Sequence, residues 1–145
     1  MADDLRESGK AAYEKAFRRL ARSKFRARFT LGPHERAYIA RVGLETIRRH
    51  AEAFVGQRLA VAQPENDGRQ TPMRGHPVFI AQHATATCCR SCLEKWWHVP
   101  KGKPISLSRQ TGIVDFLMAW ISKQLATSGP GEAVESGKTD QSKAI

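Results

Sequence analysis

The stretch HPVFIAQHATATCCRSCLEKWWHVPKG, residues 76–102, holds all three cysteines of the chain (Cys88, Cys89, Cys92), three of its five histidines (His76, His83, His98) and two of its three tryptophans (Trp96, Trp97). Residue types able to bind a metal ion are thus gathered in one segment, and a zinc site is the simplest physical reason for the crowding. Cys89-x-x-Cys92 is the short chelate in which two thiolates from one turn of chain reach a single tetrahedral ion, with Zn–S near ~2.3 Å and Zn–N near ~2.0 Å. His83 and His98 lie at equal offsets outside the pair, so Cys89, Cys92, His83 and His98 could close a shell within the segment. Cys88 competes with Cys89, because on a helix Cys88 and Cys92 are i,i+4 neighbours on one face while Cys89 and Cys92 are i,i+3 neighbours. His76 is a further alternate ligand. The competing account is that free cysteines act as small buried hydrophobes or as redox thiols.

Two other cysteine chemistries fail on the residues themselves. A c-type haem requires a histidine directly after Cys92, where Leu93 stands. A zinc deaminase requires H-x-E and a proline before its C-x-x-C, whereas this chain has His83-Ala84-Thr85 and Cys88.

The segment also resembles a known family. The residues SKFRARF at 23–29, NDGRQTPMRGHPVFIAQHATATCCRSCLEKW at 66–96 and VPKG at 99–102 are similar to the small bacterial and phage proteins grouped as domain-of-unknown-function family 4186. The resemblance spans residues 23–125 and implies a cytosolic, metal-binding unit without an established activity. The family pattern reads K-W-H-x-I-P-K-G, while this chain reads Lys95-Trp96-Trp97-His98-Val99-Pro100. Aligned on Pro100, the family histidine falls on Trp97, which leaves His98 one place displaced as a ligand.

At 145 residues the chain is one domain long, with room for a core. It contains no run approaching ~18 apolar residues, the length that marks a membrane span, and its start, MADDLRESGK, has no apolar leader region. A cytoplasmic location is expected, and reduced thiols there favour metal binding over structural disulfides. The formal charge of +10 is the electrostatic footprint of a polyanion binder.

That charge is placed unevenly. Between residues 10 and 28 lie Lys10, Lys15, Arg18, Arg19, Arg22, Lys24, Arg26 and Arg28 against the single acid Glu14. Tyr13, Phe17, Leu20, Ala21 and Phe25 recur among them at helical spacing, so an amphipathic helix with a basic outer face is expected. Arg18, Arg19, Arg22, Lys24, Arg26 and Arg28 are the candidate contacts to DNA or RNA; the alternative is a solvated face that keeps the protein soluble.

Pro33 fits the first position of a helix carrying Tyr38, Ile39 and Val42, with Gly43 closing it. A longer helix follows, with the stripe Leu44, Ile47, Ala51, Phe54, Val55 and Leu59 and with His50 facing solvent, as His34 does. Residues 60–75 carry two prolines, two glycines and an Asn-Asp-Gly turn, and read as an irregular connection whose Asp67, Arg69, Gln70, Thr71 and Arg74 either shape a surface beside the metal or run over the core. Pro77 opens a helix or a short strand. Thr85 and Thr87 would bond the ligands or cap turns, and Trp96 and Trp97 would pack beside the site. Ser106 or Ser108 caps a last helix whose face is Ile113, Phe116, Leu117, Trp120, Ile121 and Leu125.

The expected architecture is mainly α: a small single domain of about four to six helices over residues 10–127 around the zinc site, with a long irregular loop before the metal segment. Residues 1–9 are expected to be flexible and 128–145 disordered. Two functions fit. One is a zinc-stabilised basic module that binds nucleic acid. The other is a zinc-dependent hydrolase with an open metal position and Glu94, His76 or Asp67 as base. A redox Cys89-x-x-Cys92 pair is a third.

Overall fold

The computed structural model describes residues 10–127; the termini 1–9 and 128–145, for which flexibility and disorder were expected, lie outside the described residues. Helices α1 (Lys10–Ala21), α2 (Lys24–Ala27), α3 (Pro33–Val42) and α4 (Leu44–Phe54) come first, and α4 runs on into a π-helical turn, Val55–Leu59. After the connection 60–75 come α5 (Pro77–Ala84), α6 (Arg90–Trp97) and α7 (Leu107–Ala126). No strand occurs among the described residues, so the apolar run after Pro77 is helical. None of these helices is long and apolar enough to cross a membrane.

The last helix is the centre of the core. Ile113, Val114, Phe116, Leu117, Trp120 and Ile121 of α7 are buried, and α1, α4, the π-turn and α5 all pack against it. From α4 and the π-turn come Ile47, Ala51, Val55 and Leu59, none of them exposed. Leu44, which the helical stripe places among them, is 42 % exposed, because it is the first residue of α4 and precedes the packed turns. The π-type bond from the Ala60 N–H to the Val55 carbonyl admits one extra residue per turn, a local widening that closes the helix. Phe17 stacks on Phe116 with ring centroids 5.3 Å apart, and Trp97 meets Phe116 edge to face at 5.5 Å. Such a pair contributes about 0.5–1.5 kcal/mol beyond its area burial.

The single basic helix expected over residues 10–28 is divided. Arg22 and Ser23 interrupt it, and the Ser23 hydroxyl accepts from the Arg26 N–H at 3.2 Å to start α2. Serine favours this role because its oxygen satisfies an amide that the first helical turn leaves without a partner. Phe25, aligned with the apolar stripe of an unbroken helix, is 42 % exposed, while Arg26 is turned inward at 8 %.

The irregular connection is held by a second buried arginine. Arg90, 1 % exposed, donates to the carbonyls of Leu59 and Val61 at the loop entrance and to those of Pro100 and Lys103 at 2.9 and 2.7 Å. Backbone oxygens without a secondary-structure partner are thereby satisfied by one planar fork. Asp67 ties down the middle of the loop, accepting from the Arg90 N–H at 2.8 Å, the Ser91 hydroxyl at 3.0 Å and the Gln70 amide at 3.0 Å. Burial raises the pKa of Asp67, but these hydrogen bonds outweigh it and hold the carboxyl below its usual range.

Replacing Arg90 with Ala would leave four carbonyls buried without donors, and we expect a stability loss of about 3 kcal/mol in urea unfolding. Arg90→Lys should recover little, since an ammonium cannot span both pairs of acceptors.

Candidate metal centre

Between α5 and α6 the chain turns back sharply. Ala86 has a left-handed backbone, φ 59°, and the turn is closed by the Thr87 N–H bonding the Gln82 carbonyl at 2.9 Å and the Gln82 amide bonding the Thr87 carbonyl at 3.1 Å. Thr85 and Thr87 spend their hydroxyls here, 3.0 Å from one another, with Thr85 also on the Ala81 carbonyl. They therefore shape the turn and do not bond sulfur. Residues 81–90 are buried without exception.

Cys89 then serves as the N-cap of α6, its sulfur accepting from the Cys92 N–H at 3.4 Å. This is the local geometry that makes C-x-x-C a chelate: cap and first turn aim both side chains at the same point. Cys88 joins them, and the three sulfurs lie within 4.8 Å of one another. Cys88 and Cys89, alternatives in the sequence, are thus both in the cluster. A tetrahedral ion with bonds of ~2.3 Å sets its sulfurs about 3.8 Å apart, so three thiolates placed like this could hold a metal ion after a shift of an ångström or less.

Arg26 faces the cluster from α2. Its guanidinium lies 3.0 Å from the Cys92 sulfur and 3.6 Å from that of Cys88, and donates to the His83 carbonyl at 2.8 Å. Burial works against its charge, yet hydrogen bonding and charge from Cys88 and Cys92 raise its pKa overall. The thiols share one hydrogen-bonded system. Hydrogen bonds from Cys88 and then Cys89, with Arg26 beside them, push the Cys92 thiol strongly down. Cys88 is pushed up, through its bonds to Cys89 and Cys92 and its burial.

The histidines of the segment separate from one another. His83 is buried against Phe29, rings stacked at 5.4 Å, and its Nε2 donates to the carbonyls of Thr71 and Pro72, both at 3.1 Å. That tautomer leaves Nδ1 without a proton. Burial lowers the His83 pKa despite the two carbonyls. Thr71 in turn donates to the Cys88 carbonyl at 2.8 Å, so the loop reaches the cluster through backbone groups. No ring nitrogen belongs to the group of close sulfurs among the described residues. His98 is exposed and left-handed at the end of α6, φ 61°. The His98 N–H bonds the Glu94 carbonyl there at 3.1 Å, the closing bond of a left-handed helix cap. The place of His98 one residue beyond the family pattern is the C-cap of α6.

His76 has a different partner. Its Nδ1 accepts from the Val78 N–H at 3.0 Å to cap α5, so the neutral ring carries its proton on Nε2 and donates to His50 Nδ1 at 2.9 Å. His50, expected in solvent, is half-buried because α4 and α5 pack together and bring Tyr38, Phe54 and Phe79 around the pair. Sequence spacing gives no sign of a contact between residues so far apart.

Among the candidate nucleic-acid residues, Arg18, Arg22, Lys24 and Arg28 are exposed as expected, whereas Arg26 is buried. Arg19 is exposed but lies 4.8 Å from the Trp96 ring centre and donates to the Trp96 carbonyl. Trp97 is in the core, its indole N–H on the Thr85 carbonyl at 2.8 Å; Trp96 is half-buried beneath Arg19.

The family described as Domain of unknown function (DUF4186) matches this chain over residues 14–122, a span that includes the three cysteines and both buried arginines. No solved structure matches it.

Burial first, and His50 second, lower the His76 pKa from 6.5 to about 4. A ring harder to protonate when folded favours folding fully above pH 6.5, and the contribution falls as pH drops toward 4. Urea midpoints at pH 7 and pH 4.5 should differ less in His76→Asn, which keeps a capping acceptor but cannot titrate.

Proposed function

The chain belongs to the DUF4186 family, whose description assigns no activity, and we propose that it is a zinc-stabilised module that binds nucleic acid through its basic face. The observation that carries the metal half of this reading is the mutual approach of the Cys88, Cys89 and Cys92 sulfurs to within 4.8 Å. Three thiolates suit zinc among the divalent ions, and a reducing cytosol would keep them available. Zinc with three thiolates carries one net negative charge. Arg26, buried against two of the sulfurs, supplies the matching positive one. The ion would fasten α6 to the turn after α5, and through Arg26 to α2, contributing folding free energy where the chain has least regular structure.

The nucleic-acid half rests on the +10 charge and on Arg18, Arg22, Lys24 and Arg28, exposed along α1, the break after it and α2 with its C-cap. Phe25 stands among them, 42 % exposed, with Arg28 4.8 Å from its ring centre. A flat aromatic beside cations offers a stacking surface to an unpaired base.

The hydrolase alternative finds less support. Glu94 accepts from the Lys101 N–H, Asp67 is occupied by Arg90, Ser91 and Gln70, and His76 caps α5. The bases the sequence offers are committed to structure.

Purified protein should carry one zinc per chain by elemental analysis. Cys88→Ser, Cys89→Ser and Cys92→Ser should each lose it and unfold more readily; His98→Ala should keep it. Full retention by all three serine variants would overturn the metal reading.

Affinity for a single-stranded oligonucleotide should fall steeply with salt, the slope of log K against log salt shrinking by about 1 for each of Arg22→Gln and Arg28→Gln. Binding insensitive to salt would overturn the nucleic-acid reading while leaving the zinc result untouched.

A further inference from the structure

A cavity of about 250 Å³ lies where the chain after α6 meets the start of α7, lined in part by Arg90, Pro100, Lys103, Ile105, Ser106 and Arg109. Three of its lining residues are cations and none is a carboxylate. The N-terminus of α7, a helix of 20 residues, opens onto it through the N-cap Ser106. Ser106 satisfies the Arg109 N–H with its hydroxyl and the Gln110 N–H with its carbonyl. The N–H groups of Leu107 and Ser108 have no partner among the described residues; such first-turn amides carry the positive end of the helix dipole.

A second observation points to a ligand independently of the helix. Arg90 forms part of the cavity wall and is 1 % exposed, yet its Nε–H has no hydrogen-bond partner. Its remaining N–H groups meet only carbonyls, two of them from the lining residues Pro100 and Lys103. It forms no ion pair among the described residues. The charges of Asp67 and Glu94 act on it from a distance without pairing with it, so a buried guanidinium whose direct partners are all neutral oxygens stands in the cavity wall. The side chains of Lys103 and Arg109 likewise make no hydrogen bond or ion pair among the described residues, so both are available to converge on a bound group.

We propose that this cavity binds a phosphate-type oxyanion, held by Lys103, Arg109 and the first amides of α7, with Arg90 as a fixed charge behind it. The phosphate could be a free ion or small ester, or one group of a nucleic-acid backbone. The site stands apart from both halves of the proposed function: it requires neither the thiols nor the basic residues of α1 and α2.

The test is a titration of the full-length, metal-loaded protein with inorganic phosphate at constant ionic strength, following backbone amide resonances. Saturable shifts of Leu107 and Ser108 are expected, with at least tenfold weaker binding in the double variant Lys103→Gln/Arg109→Gln. That variant alters partly exposed side chains, and its zinc content should be unchanged. Shifts that grow linearly with phosphate, or that saturate equally in the double variant, would overturn the site. A parallel titration with a short unphosphorylated DNA strand separates the sources: movement of the same two amides identifies a phosphodiester backbone, while movement with inorganic phosphate alone identifies a small phosphate ligand.

Discussion

The contact on which the organisation of this protein depends is that of the Arg26 guanidinium with the sulfurs of Cys88 and Cys92 and the His83 carbonyl. It joins the start of the chain to a turn some sixty residues later. It also places a positive charge where three thiols would otherwise repel one another on ionising. A cationic side chain is costly to bury alone, and so is a thiolate; opposed at hydrogen-bond distance they offset one another. The break at Ser23 follows from the same need, since α2 leaves the line of α1 and carries Arg26 inward.

Arg90 repeats the device in a different setting. There the partners are four backbone oxygens, and the effect is to let a sixteen-residue connection lie against a helical core without secondary structure of its own. Such a loop must find donors for its carbonyls. One planar fork supplies donors to the Leu59 and Val61 carbonyls at its entrance and ties them to Pro100 and Lys103 beyond α6, and Asp67 supplies an acceptor to the amide end of α6. The two arginines thus brace the cysteine turn from both sides, one through sulfur and one through backbone.

Much of this was legible in the sequence. The faces of α3, α4 and α7 follow from apolar periodicity and the start of α3 from Pro33; the sequence offered Ser106 or Ser108 as the cap of α7 and a helix or a strand after Pro77, and the structure has Ser106 and the helix. The approach of Cys89 to Cys92 follows from their spacing. The cap at Ser23 carried a usable signal as well, a serine within a basic run, but the helical recurrence of Phe17, Leu20 and Phe25 pointed across it. No local signal distinguished Arg26 from the arginines beside it.

By itself, then, the sequence determined most of the helices, their buried faces and the pairing of cysteines within a single turn, because each depends on residues no more than a few positions apart; the division of the basic helix at Ser23 and the helical state of the run after Pro77 did not follow from it. Only the tertiary structure decided which arginine turns inward, that Cys88 and Cys89 both join the cluster, and that His83, His76 and His98 go to loop carbonyls, to His50 and to a helix end. The reason is physical: a side chain's partner across the core is chosen by how α2, α4 and α5 pack, and packing is a property of residues distant along the chain.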